Sequence, residues 1–184
     1  MKFGMTIAAG AIALASAAFG QQGVTRVSVH TDWSVFTASS AGSGFADCWS
    51  AAEPRSVVNT RGGQTVDVRR GDIQLMIAFT KGSSNAHIAF TGGYPYGDGS
   101  TVTANVDGKE FTFLTQNQPD ANGEATGWAW PRAAADEGRI VDAMKRGAEA
   151  VMSGRSSRGT TTKDTFSLSG FTAAFEAAQR ACSS

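Results

Sequence analysis

The stretch of this chain that comes nearest to a chemical loop runs Gly154-Arg-Ser-Ser-Arg-Gly-Thr-Thr161. Gly154 and Gly159 carry the spacing of a phosphate-cradling loop. That cradle needs a Lys directly after the second glycine, to reach the β- and γ-phosphates, and the position is Thr160. It also needs a helix starting at the loop, whereas Thr160-Thr-Thr-Lys-Asp-Thr-Phe-Ser-Leu168 is β-branched and strand-like. Nucleotide chemistry is excluded on both counts. Gly154-Arg155-Ser156 also begins like the turn that carries a nucleophilic serine, but that turn requires glycine at 158, which is Arg158. What remains is a polar connection between two strands that holds Arg155 and Arg158 in solvent as a candidate charged contact surface.

The other reactive side chains are sparse. The two histidines, His30 and His87, sit on strand faces opposite the apolar residues beside them, Val27 and Val29 in one case and Ile88 and Phe90 in the other. Both read as solvent-facing, and with no spare cysteines neither a metal site nor a cofactor is expected. Asp120-Ala-Asn-Gly-Glu124 is acidic, but its glycine comes two places too early for a calcium loop, so it reads as a turn. Arg70-Gly71-Asp72 spells an adhesion tripeptide; the simpler reading is a tight turn before a strand.

The aromatic residues offer more. Trp33, Trp49, Trp128 and Trp130 suit the core of a β-rich protein, and that reading is preferred. The alternative is a platform on which a small ligand or glycan stacks, helped by carboxylates such as Asp120 and Glu124. Trp128 and Trp130 share a face because only Ala129 separates them. Tyr94 and Tyr96, in Gly-Gly-Tyr-Pro-Tyr, join Arg155 and Arg158 as candidate contact residues, since arginine and tyrosine are enriched where proteins bind.

The elements that must position these residues are mostly strands. Val27 to Phe36 alternates and reads as one strand, with Val27, Val29, Trp33 and Val35 on one face. Phe45–Ser50, Asp72–Phe79 and Ala86–Phe90 follow as further strands. Thr101–Val106 and Lys109–Leu114 flank Asp107-Gly108, the signature of a two-residue hairpin turn whose central residues need positive φ. Trp128-Ala-Trp130 ends at Pro131, which cannot donate to a ladder.

Two segments have helical periodicity. Ala134 to Arg146 places Ile140, Val141 and Met144 together and stops at Gly147. Phe171 to about Ala181 aligns Phe171, Ala174, Phe175 and Ala178, and Cys182 falls on the same stripe about three turns on. The chain is therefore expected to be β-rich, all-β to α+β. Two short helices accompany the strands.

Cys48 and Cys182 are the two cysteines. The helical stripe aims Cys182 at the core, where a disulfide to the strand cysteine Cys48 would tie the last helix down. A leader supports this. Lys2, an apolar run of small residues and Ser16-Ala-Ala-Phe-Gly20 have the three parts of a secretory signal peptide, with cleavage after Gly20 or after Ala18. The expected organisation is a leader over residues 1–20 and one domain over 21–184. The leader is too short to span a bilayer and no later stretch is apolar enough, so no integral membrane span is expected. Charge is balanced, 16 Lys+Arg against 16 Asp+Glu, which argues against a nucleic-acid surface. The expected location is the periplasm or the cell surface, where a disulfide persists.

An ordered set of segments resembles the invasion associated locus B family of Gram-negative envelope proteins. They are Asp32-Trp-Ser-Val-Phe36, Cys48-Trp49, Gly71-Asp-Ile-Gln-Leu-Met-Ile77, Gly92-Gly-Tyr-Pro-Tyr96 and Trp128-Ala-Trp130. Ala143-Met-Lys-Arg-Gly147, Ser156-Ser-Arg-Gly-Thr160, Asp164-Thr-Phe-Ser-Leu-Ser-Gly-Phe171 and the terminal Cys182 complete it. The resemblance implies an antiparallel, sandwich-like exported domain with no established enzymatic activity and no defined catalytic residues. Its partner would be a protein or another envelope component.

Overall fold

The structure is a computed structural model that describes residues 23–38, 47–119 and 123–183. The described residues form a twelve-stranded antiparallel sheet and two α-helices. The strands are β1 (Val24–His30), β2 (Trp33–Ala38), β3 (Cys48–Ala52), β4 (Ser56–Arg61), β5 (Gln64–Thr65) and β6 (Gln74–Phe79). They continue with β7 (His87–Thr91), β8 (Thr101–Val106), β9 (Lys109–Pro119), β10 (Ala125–Pro131), β11 (Glu149–Arg155) and β12 (Thr161–Ser167). Helix α1 (Ala134–Arg146) lies between β10 and β11, and α2 (Phe171–Cys182) ends the described chain.

The sheet order is β1-β2-β3-β6-β7-β10-β9-β8-β11-β12-β4-β5. β3 and β4 stand far apart in this order, yet only Glu53, Pro54 and Arg55 connect them. So short a link is possible only if the sheet rolls over and brings its two halves face to face. Three contacts register the closure. Phe90 of β7 meets Phe166 of β12 edge-on at 6.1 Å. The Trp33 indole of β2 donates to Ser167 O at 2.9 Å. The backbone N–H of Arg55 donates to Thr165 O at 2.7 Å. The result is the sandwich-like architecture expected, with the core between the two halves.

Helix α2 packs across this core. Phe171 meets Trp33 edge-on at 4.9 Å, Phe175 meets Phe79 at 5.3 Å, and Cys182 bonds to Cys48 with the Cα atoms 5.5 Å apart. Helix α1 buries Ile140, Val141, Ala143 and Met144 and reaches α2 through Lys145, whose Nζ lies 4.2 Å from the Phe175 ring centroid. Its first turn carries Asp136 and Glu137 and its last Lys145 and Arg146, the charges that complement a helix dipole.

Most of the expected elements are present, and α1 has the same limits. Asp107 and Gly108 both take positive φ at the β8–β9 turn. One expectation is corrected: Val27 to Phe36 is a hairpin rather than one strand. Thr31 turns with φ 54 and His30 pairs with Trp33. A bulge between Arg26 and Ser28 then leaves Val27 and Val29 about half exposed on an edge strand with one neighbour. Phe45, the leader cleavage site and Asp120 lie outside the described residues. Strands β4 and β5, with Gly62-Gly63 between them, are additional to those expected.

Candidate functional site

Alternation along the strands sends one set of side chains into the core and the other to the outer face. On β2, β3, β6, β7 and β10 the inward set is Trp33, Val35, Cys48, Leu75, Ile77, Phe79, Ile88, Phe90 and Ala129. The outward set forms a second cluster, with Ala51, Met76 and Ala89 as its floor and Phe36, Trp49, Trp128 and Trp130 packed against them. Small floor residues let the large rings lie across neighbouring strands, and all four rings are half-buried. Phe36 and Trp49 stack at 5.5 Å with 16° between their planes. Trp130 pairs across the ladder with Leu114, which is 46% exposed.

Polar residues interleave with these rings. Trp128 stands opposite Thr91 on one side and Gln116 on the other, and Thr91 stands opposite Gln74. Gln74 also lines an open cavity of about 290 Å³ with Glu53, Pro54, Gly71, Asp72 and Ile73. Among the described residues no arginine or lysine lines it. Glu53 and Asp72 are exposed, and neither has an ion-pair partner among the described residues.

A buried polar network holds the cavity wall in place. The Arg70 guanidinium and the Asp164 carboxylate are 5% and 0% exposed and form a two-pronged pair, Nη1 to Oδ1 at 2.7 Å and Nη2 to Oδ2. Arg70 Nε also donates to Gly92 O at 2.8 Å, and Nη1 to Asn59 Oδ1 at 3.2 Å. The Tyr94 ring lies 4.9 Å from the guanidinium carbon, and its hydroxyl is 2.6 Å from Thr162 Oγ1. Gly71 N–H donates to Gly93 O at 2.8 Å, and Gly93 has φ 70 with no room for a Cβ beside Gly71 O. These bonds clamp residues 70–72 to the end of β7. Burial raises the Asp164 carboxyl above its ordinary range, against the opposing pull of the Arg70 hydrogen bond and charge. Burial likewise raises Tyr94 and Tyr96.

The tripeptide Arg70-Gly71-Asp72 thus has its arginine committed to the interior, which removes it as an adhesion motif. Tyr96 is 1% exposed and stacks edge-on with Tyr94 at 5.1 Å. Their segment runs beneath the β11–β12 turn, where Ser157 N–H donates to Pro95 O at 2.8 Å and Gly97 N–H to Arg155 O at 3.2 Å. The structure therefore gathers Arg155, Arg158, Tyr94 and Tyr96 at one end of the hairpin. The arginines are exposed, Tyr94 is half-buried and Tyr96 is in the core. Gly154 belongs to β11 and Thr160 is buried, so the turn is shorter than the sequence motif. Strands β9 and β8 separate Arg155 and Arg158 from Trp128 and Trp130, whereas the Tyr94–Tyr96 segment crosses behind β10 at Gly127. Trp49, Trp128 and Trp130 are half-buried on the outer face, and Trp33 alone of the four tryptophans is fully buried.

Arg70, Asp164 and the outward row around Gln74 were not among the sequence candidates. A signal for Asp164 exists: it occupies the inward position between Thr162 and Phe166, where an acidic residue needs a buried partner. Among the described residues no three potential metal ligands come together. His30 Nε2 lies 3.0 Å from Ser28 Oγ on edge strand β1, and His87 Nδ1 lies 3.3 Å from Glu137.

No curated protein matches this chain. Among solved structures, the crystal structure of invasion associated protein b from Bartonella henselae is similar over 84% of this chain and 95% of its own, with 13% identity and a TM-score of 0.46. The family model for invasion associated locus B (IalB) protein matches residues 33–179, from the first core tryptophan to the last turn of α2. The chain belongs to the invasion associated locus B family.

Proposed function

We propose that this member of the family is an exported, non-enzymatic protein of the cell envelope that binds a partner across the outer face of its sheet. The observation that carries the proposal is the cluster of Phe36, Trp49, Trp128 and Trp130, partly buried on the outer face of the sheet and outside the core. Large aromatic rings grouped on one outer face form the kind of contiguous apolar patch that marks a contact site. Export is supported by the leader-like residues 1–20 and by the Cys48–Cys182 disulfide. No helix among the described residues is long and apolar enough to cross a membrane. A binding role without catalysis is supported by the histidines. Ser28 and His30 are neighbours on an edge strand, with no carboxylate among the described residues bonded to the ring's other nitrogen, and His87 faces Glu137 at the surface.

The test is cross-linking and pull-down from the native envelope fraction. Trp128→Ala with Trp130→Ala is expected to abolish capture, whereas Arg155→Ala with Arg158→Ala retains it. Capture that survives loss of both tryptophans, in a variant with wild-type circular dichroism, overturns the proposal.

A further inference from the structure

We infer that the partner of this outer face is a polysaccharide chain of neutral or amino-bearing sugars, which runs over the tryptophan strip and ends in the Glu53–Asp72 cavity. The inference rests on the binding face proposed above and names the chemistry it accepts. Three observations carry it.

The first is the composition of the strip. A pyranose ring presents C–H bonds on its faces and hydroxyls around its rim. It therefore needs apolar surface and hydrogen-bonding groups alternately and at close range. Trp128 stands in one cross-strand row with Gln116, Thr91 and Gln74. Trp130, in the next row, lies over a floor that includes Ala89 and Met76. The centre of a protein–protein contact is depleted of charge and closely packed. Thr91 is buried and its Oγ1 already accepts from Gly93 N–H, so the groups the strip offers are the Gln116 and Gln74 amides, which sugar hydroxyls would satisfy on either side of Trp128.

The second observation is dimension. Trp128 and Trp130 are two residues apart on β10, about 7 Å. Trp49 on β3 lies three strand spacings from β10, about 14 Å. The strip suits several linked sugars rather than a single one.

The third is charge. The cavity beside Gln74 contributes the Glu53 and Asp72 carboxylates and no cation. A phosphate-, sulfate- or uronate-bearing polymer would meet two like charges there, whereas a neutral sugar finds acceptors for its hydroxyls and an amino sugar finds a counter-ion. The 70–72 segment that carries Asp72 is clamped by the Arg70 fork and by the Gly71–Gly93 bond, so the backbone at the cavity wall is held in place before binding.

The test is co-sedimentation of the exported protein, purified from the envelope fraction, with chitin, chitosan, isolated peptidoglycan sacculi and the anionic polymer alginate. Wild type is expected to pellet with chitin or chitosan or sacculi and to stay in solution with alginate. Trp128→Ala and Trp130→Ala should each weaken sedimentation about tenfold. Glu53→Gln with Asp72→Asn should keep binding to chitin, lose preference for chitosan and gain binding to alginate. Arg155→Ala, remote from the strip, should bind like wild type.

Wild type that pellets with no polysaccharide, while its envelope pull-down still depends on the two tryptophans, overturns the inference and leaves the binding face standing with a protein partner. Sedimentation that is indifferent to both tryptophans places any glycan site elsewhere and also overturns it. Binding to alginate as strong as to chitin refutes the charge selectivity.

Discussion

Arg70 and Asp164 are two unit charges in the interior, and their net effect depends on completeness. The fork donates four hydrogen bonds, to both Asp164 oxygens, Gly92 O and Asn59 Oδ1. Removing one partner leaves the other charge stranded, so Arg70→Met should cost about 3–5 kcal/mol, measured by urea unfolding. Arg70→Met together with Asp164→Leu should recover part of that loss, because no charge is left stranded while Gly92 O and Asn59 Oδ1 still lose their donor. The pH dependence follows from the raised Asp164 value. The folded chain takes up this proton at a higher pH than the unfolded chain. This group's contribution to stability therefore grows as pH falls through the window between the two values. Asp164→Asn does not titrate, so the stability difference should move in favour of wild type as pH is lowered through that window. A shift the other way would show that the pull of Arg70 outweighs burial.

At the scale of elements, two glycines separate local from tertiary control. Gly138 is exposed within α1, and a Cβ there meets nothing within 4 Å. Gly138→Ala should therefore stabilise the protein by about 0.5–1 kcal/mol through helix propensity and a less free unfolded chain. Gly127 lies on β10, where a Cβ would run into Tyr94 O and the Tyr96 ring. Gly127→Ala should destabilise by about 1–3 kcal/mol, and thermal unfolding of the two variants distinguishes them by sign. The β10 strand was legible from Trp128-Ala-Trp130 and Pro131, but the close crossing of the Tyr94–Tyr96 segment behind it was not. Strand β4 shows the reverse case. Ser56-Val-Val-Asn-Thr-Arg61 before Gly62-Gly63 carries a hairpin signal in plain sequence, and both glycines take positive φ. The β1–β2 turn, built on Thr31-Asp32 without glycine, gives no such signal.

The whole molecule is a rolled sheet held shut by its last helix. The Cys48–Cys182 bond spans 134 positions and joins the third strand in sheet order to the C-terminal turn. Loop entropy for a closure of this length is on the order of 4–5 kcal/mol, and losing a native disulfide typically costs about 2–5 kcal/mol. Cys182→Ser should lower the urea midpoint accordingly. It should leave wild-type near-ultraviolet dichroism at low temperature, because Phe171 and Phe175 still dock α2 on Trp33 and Phe79. Unchanged stability would mean that α2 is held by packing alone.

Periodicity and turn chemistry in the sequence determined the β-rich class, the extent of α1, the β8–β9 hairpin and the stripe that carries Cys182 to the core. Each rests on contacts within a few residues, which local patterns encode. Which face of a strand becomes interior depends on what the sheet closes against, over separations such as the 94 residues between Arg70 and Asp164. Only the tertiary structure therefore buried Tyr96 and took Arg70 out of its tripeptide. For the same reason it alone left Trp49, Trp128 and Trp130 on the outer face with Gln74 and the Glu53–Asp72 cavity in line.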